Sequence, residues 1–187
     1  MPSRPKLRAD ARASRERILS AADRVFQEHG TDATIEQVIR SADVGRMTFF
    51  RHFPNRDCLL AALLDLAMDE LEALAKSLEG KEDALPRILW FMTERMGQRA
   101  GLVDYWISAD PNHPAVSKAM RRVEPIFGAS IRAAKAAGLC RPDLTTEDIE
   151  LFGRMLAGAT QGIRGDRRAA VTQRAAKILI AGLTAPD

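Results

Sequence analysis

Apolar residues recur every three to four positions along almost the whole chain, and no run of alternating β-branched residues is long enough to demand a strand. This period predicts an all-α protein of about nine helices. The first is expected at about 13–29, with Ile18, Leu19, Ala22, Val25 and Phe26 on one stripe and Gly30 placed to take the left-handed position that stops a helix. The second spans 34–41. Thr34 can cap its free N–H groups, Gln37 stands three residues later as in a capping box, and Ile35, Val38 and Ile39 face inward. After a tight turn a short third helix covers 45–52, closed by Pro54. Asn55 and Asp57 start a fourth, which a ladder of leucines from Leu59 to Leu78 sustains to about residue 80. At about 1.5 Å per residue it is long enough to connect two regions of the molecule. Five more follow at 82–100, 102–109, 115–137, 146–164 and 167–183; Pro125 either kinks the seventh helix or marks its true start.

Charge changes this picture because it is unevenly placed. Residues 1–56 carry 11 Lys and Arg against 7 Asp and Glu, whereas the remaining residues carry 17 against 18, so the formal excess of +3 is N-terminal. A first segment that meets a polyanion explains the asymmetry, and a solvated basic tail is the plain alternative. Cys58 and Cys140 have no CxxC spacing and are expected as reduced thiols, with Cys58 in the core beside Leu59 and Leu60. No apolar run reaches membrane-spanning length and the N-terminus has no apolar signal-peptide stretch, so a cytoplasmic protein without membrane contact is expected.

Three helices within the first 53 residues, with a tight turn before the third, fit a helix-turn-helix whose last helix enters the major groove. The stretch A-D-V-G-R-M-T-F-F-R-H-F-P-N-R at 42–56 concentrates three Phe, three Arg and one His there. It resembles the signature of the tetracycline-repressor (TetR) family, commonly A-G-V-S-x-G-T-L-Y-x-H-F-x-x-K. Ala42, Val44, Thr48, His52 and Phe53 match outright, and Phe49, Phe50 and Arg56 match in type. The resemblance covers residues 15 to about 64; beyond them only helix number and total length agree.

Physical chemistry assigns roles to the same residues. Val44 and Phe53 pin the third helix to the first two. Thr34, His52 and Arg56 stand at helix ends where hydroxyl, imidazole and guanidinium donors can meet phosphate, and for Thr34 a pure capping role is equally open. Base reading falls on Gly45, Arg46, Met47 and Thr48. Arg46 can grip guanine O6 and N7 or touch phosphate only, Met47 and the Thr48 methyl can meet thymine methyls, and Arg51 can do either job. Against the family pattern, Asp43 replaces a turn Gly, Phe50 keeps the ring of a Tyr without its phosphate-donating hydroxyl, and Met47 replaces a Gly that allows close approach to DNA. Arg4, Lys6, Arg8 and Arg12 form a basic arm at 1–12, either a DNA contact or a solubilising tail.

The remainder holds no catalytic constellation, cofactor motif or convincing metal set: Asp104, Asp110 and His113 merely bracket a loop. Its large apolar side chains either fill a core or line a cavity. The resemblance implies an inducer pocket near Trp90, Met96, Tyr105, Trp106 and Phe127. Small residues in the eighth helix and a weakly charged apolar face on the ninth, with Gly153, Ala157, Gln161 and Ile178 as markers, either pack within one subunit or pair two subunits. A head that reads half a palindrome needs a homodimer. The expected organisation is a helix-turn-helix DNA-binding domain at 1–56 and a helical regulatory and dimerisation domain at 57–187. The expected function is a repressor, not an enzyme, released from a palindromic double-stranded operator by a small molecule and needing no cofactor. The alternative is a helical small-molecule-binding protein whose head no longer binds DNA.

Overall fold

The computed structural model describes residues 4–110, 112–163 and 166–184. Among them every regular element is helical: α1 (Arg4–His29), a 3-10 turn (Gly30–Asp32), α2 (Ile35–Ala42), α3 (Arg46–His52), α4 (Arg56–Ser77), α5 (Ala84–Gln98), α6 (Ala100–Ser108), α7 (Pro114–Met120), α8 (Val123–Ala136), α9 (Thr146–Thr160) and α10 (Asp166–Leu183). No helix among the described residues is long and apolar enough to cross a membrane. The all-α expectation is met, with two differences in detail. The helix expected from residue 13 begins at Arg4, because Pro5 sits in the first turn, where its missing N–H costs nothing, and no breaker follows it. The side chains of Arg4, Lys6 and Arg8 lie outside what the structure describes.

The second difference raises the number of α-helices among the described residues to ten. The segment expected as one helix at 115–137 is two, α7 and α8, joined at Arg121 and Arg122. The His113 ring caps α7 by accepting the Ala115 N–H at 3.2 Å, and Pro114 follows as its first residue. Pro125 falls in the first turn of α8, where a backbone N–H has no intrahelical acceptor, so the proline marks the start of a helix and does not kink one.

The backbone resolves into two compact units. The first comprises residues 1–64 with 99–102. Here α1 packs on α2 and α3 around Ile18, Phe26, Val38, Phe49, Phe53, Leu59 and Leu60, all at most 2 % exposed. Gly101 touches the 3-10 turn so closely that a Cβ would stand 2.5 Å from the Gly30 carbonyl carbon, which only glycine avoids. Beside it Arg99 donates Nε and Nη2 to the two carboxylate oxygens of Asp23 at 2.7 and 3.0 Å. Cys58 does not join this core. Asn55 Oδ1 accepts the Cys58 N–H at 2.8 Å and so caps α4, which turns Leu59 and Leu60 inward and leaves the thiol exposed.

The second unit comprises residues 65–98 and 103–187. Its α5 packs on α8 and α10, and α9 lies against the same two helices. Ile88, Leu89, Phe127, Ile149, Phe152 and Leu156 fill the interior at 2 % exposure or less. Ion pairs tie the helices together: Arg122 reaches Asp69 and Glu72 on α4, Lys118 reaches Asp65, and Arg168 forks onto Asp104 at 2.9 and 3.0 Å. The two carboxylates raise the Arg122 guanidinium pKa against an opposing effect of burial, so the group stays charged.

Candidate nucleic-acid interface

The platform for α3 is built by local chemistry. Thr34 Oγ1 accepts the Gln37 N–H at 3.2 Å while Gln37 Oε1 accepts the Thr34 N–H at 2.7 Å, a capping box that fixes where α2 begins. At its other end Asp43 adopts the left-handed conformation, φ 49°, and its N–H returns to the Ile39 and Arg40 carbonyls. This is the strain expected of an Asp in a glycine position, and a short acidic side chain tolerates it. Gly45 is the extended N-cap of α3. The helix is then fastened from beneath by Phe49, fully buried, and Phe53, 2 % exposed, their ring centroids 6.0 Å apart. Phe50 meets the Phe49 ring edge-on at 5.3 Å.

With its underside anchored, α3 presents its N-terminal side chains to solvent. Arg46 is exposed and lies over Phe50, Cζ 5.3 Å from the ring centroid, with Nη1 3.3 Å from Glu36 on α2. Met47 is 79 % exposed. Thr48 is half-buried and Arg51 exposed on the same helix, while His52 packs its ring 6.4 Å from Phe53. Among the residues picked from sequence, Gly45, Arg46, Met47, Thr48, Phe50, Arg51 and His52 therefore share one short helix and its cap. The other two have duties inside the head. The Thr34 hydroxyl serves the cap, and Arg56 donates to the Ala33 carbonyl with its guanidinium 4.9 Å from the Phe26 centroid. Glu36 escaped the sequence reading. An acidic residue in a helix's first turn looks like a dipole complement, and no local signal says that it meets Arg46.

The candidates of the second unit are dispersed. Phe127 is 1 % exposed and belongs to the core; Tyr105 and Trp106 stack edge-to-face at 4.8 Å, with Trp106 also 5.2 Å from the His113 ring. A groove of about 730 Å³ opens between α5 and α10 and is lined by Trp90, Phe91, Thr93, Gly97, Thr172 and Gln173 among others. Trp90 reaches this groove; Met96, Tyr105, Trp106 and Phe127 do not line it. Among the small residues, Ala157 is buried and Gly153 lies against Met92, whose Cε would meet an added Cβ at 3.3 Å. Gln161 and Ile178 are exposed, and so are Leu151 and Met155 on α9. Asp104 is taken by Arg168 and His113 by its cap, and no group of three or more metal-ligating side chains occurs among the described residues.

Comparison with known proteins agrees with this head. Residues 18–63 match the family model of bacterial regulatory proteins, tetR family. The HTH-type transcriptional regulator UidR of Escherichia coli (strain K12) is 26 % identical over 171 residues, covering 86 % of this chain and 84 % of that protein. A TetR transcription regulatory protein from Mycobacterium vanbaalenii superposes with a TM-score of 0.67 at 26 % identity, covering 95 % of this chain and 99 % of the other. A TetR transcriptional regulator from Streptomyces coelicolor gives 0.61 at 26 % identity over 92 % and 99 % of the two chains. With its helix-turn-helix capped, anchored and basic at the exposed end, the head of this chain is similar to that of the TetR-family transcriptional regulators, and the chain shares their all-helical fold.

Proposed function

We propose that the protein is a homodimeric repressor, with a DNA-binding domain at residues 1–56 and a regulatory domain at 57–187, that leaves a palindromic operator when a small molecule binds. The observation that carries this reading is the first turn of α3, where Arg46 and Met47 stand exposed on a helix whose underside is locked by Phe49 and Phe53. A rigid short helix that ends in a cation and a polarizable apolar side chain suits base edges in a major groove. Gly45, Thr48, Phe50, Arg51 and His52 complete the DNA-facing surface, with Thr34 and Arg56 adding phosphate contacts at its margins.

Two further features support the regulatory half. The groove at Trp90 has the volume and aromatic lining of a site for an apolar small molecule, with Met96, Tyr105, Trp106 and Phe127 elsewhere in the same unit. Leu151, Met155 and Ile178 leave α9 and α10 with exposed apolar side chains that a second copy of the chain would cover, Gln161 lying nearby at the end of α9 and Gly153 and Ala157 packing from inside. Ligand binding would then change the spacing of two heads that must occupy successive major grooves.

The test is fluorescence anisotropy of the full-length protein on duplexes enriched from random sequence. Binding should weaken steeply between 50 and 200 mM salt, by roughly ten-fold or more if several phosphates are contacted, and Arg46→Ala and His52→Ala should each weaken binding to the enriched duplex. A protein that enriches no duplex would refute the reading.

A further inference from the structure

The pairing of Arg46 with Glu36 does more than neutralise a charge. Arg46 opens α3 and Glu36 lies in the first turn of α2, ten residues earlier, yet Arg46 Nη1 and Glu36 Oε1 are 3.3 Å apart. The two side chains are 69 % and 53 % exposed, and an ion pair so open to solvent adds almost nothing to folding stability. A carboxylate retained at the DNA-facing end of a basic head also works against binding, because it repels every phosphate regardless of sequence. Its place there needs another account.

Geometry supplies one. Phe49 is fully buried, Phe50 meets its ring edge-on at 5.3 Å, and the Arg46 guanidinium lies 5.3 Å from the Phe50 centroid. An anchored aromatic pair thus supports the guanidinium from one side while Glu36 holds it from another. A guanidinium has five N–H donors in a planar fork, and one of them on Glu36 leaves the rest of the fork for a base edge. Without the carboxylate the long side chain is free to swing to the nearest phosphate, where it adds affinity without discrimination.

We propose that Glu36 is a specificity-determining positioning residue: it orients Arg46 toward base edges and lowers affinity for DNA of the wrong sequence. The assignment rests on the DNA-binding reading above. It predicts that Glu36→Gln tightens binding to a scrambled duplex by roughly two- to five-fold, the range of one exposed charge interaction, while binding to the enriched duplex is unchanged or weaker. The ratio of the two affinities therefore falls.

Anisotropy with wild type, Glu36→Gln, Arg46→Ala and the double variant on both duplexes, at two salt concentrations, decides the matter. A fall in the ratio that disappears in the Arg46→Ala background supports the assignment, since the effect then runs through Arg46. Equal tightening on both duplexes means that Glu36 acts only as a charge, and a fall that persists without Arg46 means that Glu36 reads a base itself; either outcome overturns it. A wild-type protein that enriches and discriminates normally while Glu36→Gln changes nothing overturns the assignment alone. A wild-type protein that discriminates no duplex overturns the DNA-binding reading with it. Both positions are exposed, so the variants should fold, and a thermal melt of each confirms that they do.

Discussion

Replacing Asp23 by Asn should destabilise the first unit more than a change at the exposed side chains of α3. The Arg99 guanidinium is 6 % exposed and its fork meets both carboxylate oxygens of Asp23, itself 21 % exposed, at 2.7 and 3.0 Å. The amide introduced by Asp23→Asn can accept from only one of the two donors and turns an N–H₂ toward the other, so a buried cation loses one acceptor and the negative charge that Asp23 supplies. Breaking a buried pair by removing one partner costs about 3–5 kcal/mol; with a fifth of Asp23 open to water, the lower end, about 3 kcal/mol, is expected. For a chain of this length about 1 kcal/mol corresponds to roughly 2–4 °C in melting temperature, so Asp23→Asn should melt about 6–12 °C early.

Circular dichroism melts at one fixed protein concentration, which removes any contribution from association, measure this directly. The exposed Glu36–Arg46 pair serves as the internal control: Glu36→Gln should shift the midpoint by no more than about 3 °C, since pairs of that kind contribute up to about 1 kcal/mol. Replacing both residues, with Asp23→Leu and Arg99→Met together, should recover part of the loss, because the buried cation is removed along with the carboxylate it faces. An Asp23→Asn protein that melts within about 2 °C of wild type would refute the reasoning.

The two cysteines should separate cleanly on exposure to a thiol reagent at neutral pH. Cys58 is exposed and should be modified first, whereas Cys140 is 5 % exposed with its thiol pKa pushed up by burial against a smaller lowering effect of Lys135, so it should react only on unfolding; equal rates for the two would contradict the packing. Met47→Ala should leave the melting temperature unchanged. It should weaken binding to the enriched duplex by roughly five-fold, about 1 kcal/mol, if half the Met side chain is buried against a thymine methyl; tightening on every duplex would mean instead that Met47 holds α3 away from the groove.

How far each of these features could be read from the sequence depends on the span over which its cause acts. The capping box at Thr34, the left-handed Asp43 and the Asn55 cap each work over three or four residues, and those are the boundaries the sequence places correctly to within a residue. The division at Arg121 and Arg122 is harder. Alanines and apolar residues on both sides are compatible with one continuous helix, and only the position of Pro125, which fits a first turn, betrays the second start. Cys58 shows the limit of composition as a guide. Its leucine neighbours are buried, yet on a helix adjacent residues point about 100° apart, and a cap that turns Leu59 and Leu60 inward necessarily turns Cys58 out.

Long-range pairing is where sequence alone falls silent, and it is also where function is tuned. Asp23 and Arg99 are 76 residues apart and Glu36 and Arg46 are ten, in neither case at a spacing that a single helix would bring together. The same pair of residue types has opposite consequences in the two places. At 6 % exposure the guanidinium of Arg99 has no competing solvent and its carboxylate becomes structural; at 69 % exposure the guanidinium of Arg46 keeps water as an alternative and its carboxylate can only bias direction. Burial, which depends on how the helices pack and not on which residues they carry, therefore decides whether an acid–base pair holds the head together or aims it. For that reason Glu36, silent in a reading of α2 by itself, becomes informative once α3 is set beside it.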